Sequence, residues 1–187
     1  MKHGIMAVAV ALGLGGCAST PPTTYLVLSP TRGPVYAAEG GAVAVGRVTL
    51  PATIDRSFLT TGNGENTLDI SYNAQWAAPL EAMAQTTLAR DLATRLPEHK
   101  VLMPGDNVPS NTLVVVVNAV TFMPYQDRVV LEADWSAAKT TTKAAFSGRV
   151  NIVVPSSAAA NNQAQAMSQA LGILADKIAQ QVAVEGT

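Results

Sequence analysis

Leu113-Val114-Val115-Val116-Val117, inside the nearly continuous apolar stretch Thr112 to Met123, is the run whose reading decides the fold. A β-branched run of this kind reads as a strand buried on both faces, and so as a central strand of its sheet. Downstream, Val129, Leu131, Ala133 and Trp135 alternate with Val130, Glu132, Asp134 and Ser136. Phe146, Gly148, Val150, Ile152 and Val154 alternate in the same way with Ser147, Arg149 and Asn151. A period of two marks a strand with one wet face, so the three segments together predict an antiparallel meander.

Beyond Pro155 and a polar, alanine-rich passage to Gln163, the period changes. Met167, Leu171, Leu174, Ile178 and Val182 recur at three and four, which is one face of a helix. Upstream of the meander, Leu80, Met83, Ala84, Leu88, Leu92 and Leu96 do the same, predicting a helix from about Ala74 to Leu96 that Pro97 stops. Pro79 fits only its first turn, with Trp76 at or just before it, and Arg90 and Arg95 lie toward the end that suits cations. Before this helix, Tyr25 to Leu28, Val43 to Leu50, Phe58 to Thr61 and Thr67 to Ser71 read as short strands, the last two joined about Gly62-Asn63-Gly64. Val101 to Met103 adds a brief strand. The prediction is one α+β domain over residues 25–187, a mixed, mostly antiparallel sheet with two amphipathic helices packed on one face.

The N-terminal end is of another kind. Lys2 precedes an uncharged apolar run from Ile5 to Leu14 that closes on small residues, the order of a secretory signal over residues 1–16. The run is shorter than the roughly 20 residues a membrane-spanning helix needs. Leu14-Gly15-Gly16-Cys17 resembles the lipobox of bacterial lipoproteins, and Cys17 is the one cysteine of the chain. A lone cysteine in an exported protein makes no internal disulfide, and its place at the end of the apolar run selects modification by lipid. Residues 17–24, polar and proline-bearing, read as the lipidated tether. No cofactor is expected beyond the covalent lipid on Cys17.

Twelve Lys and Arg against 13 Asp and Glu leave no clustered basic face, which argues against nucleic acid and against attraction to anionic lipid. Catalytic and metal chemistry is equally thin. His99, in Pro97-Glu98-His99-Lys100, reads as a solvated turn residue without a base-orienting partner, and the common zinc sites lack ligands. No GxxxxGK[ST] loop is present, and Gly62-Asn63-Gly64-Glu65 reads as a turn rather than a dinucleotide loop. The chain is not expected to be an enzyme; a lipid-anchored hydrolase would rest on location alone.

Three stretches carry a family resemblance: Val48-Thr49-Leu50-Pro51-Ala52-Thr53-Ile54-Asp55-Arg56, Asn73-Ala74-Gln75-Trp76-Ala77-Ala78-Pro79-Leu80, and Val130-Leu131-Glu132-Ala133-Asp134-Trp135. In order and spacing they resemble the PqiC-like auxiliary lipoproteins of ABC-type transport systems, over residues 17 to about 183. Ser57, Thr61 and Ala78 depart from the family pattern. The resemblance implies an accessory lipoprotein at the periplasmic face of the outer membrane that meets an MCE-domain protein, so that lipids or other hydrophobic compounds cross the envelope. It leaves a homo-oligomer open; a structural or assembly lipoprotein of outer-membrane biogenesis is the alternative. Ala18, rather than aspartate, after Cys17 favours the outer membrane. Of the motif residues, Asp55 and Arg56 read either as a local ion pair that fixes a turn or as a partner contact. Trp76 and Trp135 read as core anchors before ligand contacts.

Overall fold

The computed structural model describes residues 22–37, 40–141 and 145–185; the expected signal and most of the tether fall outside them. The elements run β1 (Thr24–Leu26), β2 (Ala42–Thr49), β3 (Phe58–Gly62), β4 (Leu68–Trp76), α1 (Leu80–Arg95), β5 (Lys100–Leu102), β6 (Leu113–Pro124), β7 (Arg128–Lys139), β8 (Ala145–Pro155) and α2 (Ala160–Glu185).

The meander forms as its alternation predicts, Val117 opposite Trp135 and Trp135 opposite Gly148. β2 joins it in parallel on the other side of β6 and takes β5 on its own outer edge, giving the order β5-β2-β6-β7-β8. β6 is therefore central. Both helices lie against one face of this sheet, α1 over β2 and β5, α2 over β7 and β8, and they touch each other. Val43, Val45, Val115, Val117, Leu131 and Ile152 meet Leu88, Leu92, Leu171, Leu174 and Ile178 in one buried cluster.

The class is α+β, as the periodicities require, but four expectations change. The strands divide between two sheets: β1, β4 and β3 form a separate one, because the chain turns out of the larger sheet at Pro51 before β3 begins. From Leu113 to Val120 β6 is buried on one face only, with Val116 and Val120 exposed, since both helices occupy the same side; beyond the register shift at Ala119/Thr121, where β3 comes against the strand, Phe122, Met123 and Pro124 are buried in succession. Trp76 is not at a helix start. It ends β4, its N–H donating to the Ser57 carbonyl (2.8 Å), and α1 begins only after Pro79, which is itself extended and disfavours helical backbone at Ala78 before it. Toward the C-terminus, α2 begins earlier than its apolar face suggests, taking in Asn161, Asn162 and Gln163.

Candidate functional site

The first motif is a connector between the two sheets. β2 carries a register shift between Val45 and Val48, and the freed carbonyls of Val45 and Gly46 accept from Gln85 Nε2 on α1 at 3.0 and 2.5 Å. Leu50 N–H donates to Glu81 Oε1 at 3.0 Å, so the strand end is held by the first turns of α1. Pro51 then opens a turn in which its carbonyl accepts from the Ile54 and Asp55 amides (3.0 and 3.1 Å). Ile54 is buried beneath the turn and Asp55 and Arg56 stand exposed.

No ion pair joins Asp55 to Arg56 among the described residues. The turn is fixed by backbone bonds and by the Ile54 side chain rather than by these charges. The next residue, Ser57, is bonded through its carbonyl to Trp76, and Ala77 N–H donates to the Leu26 carbonyl (2.9 Å). The first two motifs thus form one structural unit with β1. Trp76 itself is core, 4% exposed. Trp135 is also buried, but in the larger sheet, edge-on to Phe146 at 6.1 Å and opposite Gly148, where a side chain would strike the indole. The four motif residues are therefore not one site: two are exposed on a turn and two are separate anchors.

The sequence reading missed a buried polar cluster. Arg95, 1% exposed, donates from Nη1 to the carbonyls of Thr31 (3.0 Å) and Asp91 (3.1 Å) and to Asp91 Oδ1 (3.3 Å); its Nε donates to Asp176 on α2. Thr31 N–H donates to Asp91 Oδ1 at 2.6 Å, while Oδ2 has no partner among the described residues. Burial of the carboxyl, only partly offset by Thr31 and Arg95, raises Asp91 to about 6. Gly172 permits the approach, since a Cβ there would collide with Thr31 Oγ1. The one sequence signal was the four-residue spacing of Asp91 and Arg95 on a helix, a pairing distance. His99 is corrected as well. It is buried rather than solvated, its Nδ1 is unpartnered among the described residues, and burial lowers its pKa.

The principal cavities among the described residues are open grooves. One of about 590 Å³ lies on the outer face of the larger sheet beside Val116, Asp134, Trp135 and Arg149; one of about 420 Å³ lies between Tyr25–Thr31 and the first turns of α2; and one of about 350 Å³ lies between the Pro51 turn, the Gly64–Leu68 loop and the end of β6. No group of three or more His, Cys, Asp or Glu gathers as metal ligands among those residues, and none of their helices is long and apolar enough to cross a membrane.

The described residues form a helix-backed sheet, a second smaller sheet, an exposed turn between them and open grooves. The chain belongs to the family of ABC-type transport auxiliary lipoprotein components, matching it over residues 25–179. Two crystal structures share its fold. One, of an uncharacterized protein, has a TM-score of 0.73 at 15% identity and covers 86% of this chain and 99% of its own. The other, of a protein from Xanthomonas campestris, has a TM-score of 0.62 at 16% identity and covers 88% and 97%. No curated protein matches the sequence.

Proposed function

We propose that the chain is a non-enzymatic accessory subunit of an envelope transport system, tethered by lipid on Cys17 to the periplasmic face of the outer membrane. There it receives an MCE-domain protein that conducts lipids or other hydrophobic compounds. The observation that carries this reading is a lipobox-like cysteine seven residues ahead of β1 in a chain whose folded part belongs to a transport auxiliary family. The exposed Asp55 and Arg56, which form no ion pair among the described residues, supply the contact at which a partner is recognised.

Two variants test the two halves. Cys17→Ser moves the protein from the membrane to the soluble periplasmic fraction. The double variant Asp55→Ala with Arg56→Ala leaves stability within about 0.5 kcal/mol, as for exposed residues without specific contacts, but reduces recovery of the MCE-domain protein in a pulldown. Membrane association unchanged in Cys17→Ser, or a pulldown returning only unrelated envelope proteins, overturns the reading.

A further inference from the structure

We infer that the open side of β4, Leu68 to Asn73, together with Tyr25 and Val27, is the surface by which the domain rests on the bilayer. The inference deepens the reading of Cys17 as the lipidated residue and rests on it.

Strand direction comes first. β1 runs parallel to β4, Thr24 opposite Ala74 and Leu26 opposite Trp76, so Thr24 is the end of β1 nearer to Leu68. The tether could continue β1 and cover that edge, but Pro21 and Pro22 intervene. Successive residues of a strand turn their N–H groups to opposite sides, so of two consecutive prolines one always presents a missing donor to β4. β4 pairs with β1 only from Ala74 to Trp76, and the side of Leu68 to Asn73 away from β3 has no strand against it among the described residues.

Length narrows the geometry. From Ala74 back to Leu68 is six residues, less than about 20 Å because β4 is irregular between Ser71 and Gln75, where β3 advances by a single residue. From Thr24 back to Cys17 is seven residues, a reach of at most about 24 Å. With its acyl chains in the membrane, Cys17 therefore keeps the bilayer surface within about 24 Å of Thr24, a radius that takes in the uncovered edge of β4. Chemistry then agrees with position. Leu68, Ile70 and Tyr72 recur every second residue and are 43%, 36% and 75% exposed; Tyr25 and Val27, on the segment that leads to the tether, are 67% and 55% exposed. Tyrosine suits the water–lipid boundary. The neighbouring charges, Glu65 and Asp69, are acidic and exposed, so the contact fits zwitterionic rather than anionic headgroups. A small apolar area suffices because the anchor makes the second contact intramolecular.

The mature chain, beginning at Cys17, is coupled through that thiol to a maleimide-bearing phospholipid in phosphatidylcholine vesicles, with and without bromine on the acyl chains. Tyr72→Trp is compared with Val153→Trp, an exposed position on the outer face of the larger sheet. Trp76 and Trp135, buried in both, give a common background. The expected result is blue-shifted emission, quenched by brominated lipid, for Tyr72→Trp, and unchanged emission for Val153→Trp. In the unsubstituted chain, amide exchange over residues 68–73 slows on the same vesicles. Equal quenching at the two positions, no quenching at Tyr72→Trp, or slowed exchange only when a partner protein is added overturns the inference. Because coupling is chemical, these outcomes do not depend on lipidation in the cell; mass spectrometry of Cys17 from native membranes judges that reading separately.

Discussion

At the scale of the residue, Asp91 is the group whose chemistry departs furthest from what its letter suggests. Its carboxyl is raised from about 3.8 to about 6, mainly by burial, against the opposing pull of Thr31 and Arg95. A group bound more tightly to its proton in the folded state stabilises that state most fully below the unfolded value and loses the contribution as pH rises through the folded one. Between pH 3.8 and about 6 the wild type should thus lose stability relative to Asp91→Asn, by up to about 3 kcal/mol. Denaturant unfolding of both proteins at pH 4 and pH 7.5 measures it; a difference that does not move with pH refutes the assignment. Arg95→Met should cost about 3–5 kcal/mol at neutral pH, since it strips a buried carboxylate of a partner, and cost less in acid, where Asp91 is neutral. None of this was legible beforehand. The spacing of Asp91 and Arg95 was visible, but their burial comes from Thr31 and Asp176, 60 and 81 residues away from their respective partners.

Among the elements, those set by local pattern were legible and those set by what covers them were not. The meander and both helices follow from periods of two and of three to four. The apolar run Leu113 to Val117 has no such period. Its composition located β6 at the centre of the sheet but said nothing true of the second face, because the absence of a covering layer is a property of where the helices go. Trp76 was misplaced for a related reason: the bond that keeps it in β4 comes from Ser57, in another element. One-sided burial makes a direct prediction. Leu131→Ala, on the helix-covered face, should cost about 2–5 kcal/mol, whereas Val120→Ser, 60% exposed on the bare face, should stay within about 0.5 kcal/mol. Equal losses in thermal or denaturant unfolding would mean that the second face is covered after all.

For the whole molecule, the question is how an anchor and a folded domain act together. Only part of that relation was legible in the sequence: the lipobox and the tether length were visible, but not that β1 lies parallel to β4 with its first residue toward the uncovered edge. If orientation on the membrane arises from the short tether and a weak apolar contact acting together, lengthening the tether weakens the contact without touching either surface. Inserting about twenty Gly and Ser residues after Thr20 extends the link from seven residues to about 27, and an effective concentration that falls as the −3/2 power of length then drops about eightfold. On vesicles, brominated-lipid quenching of Tyr72→Trp should fall accordingly, while the amount of protein bound stays constant, since the lipid alone sets retention. Quenching that persists undiminished would place the orienting energy in the surface itself. Loss of bound protein together with quenching would instead mean that the coupled lipid alone does not hold the chain.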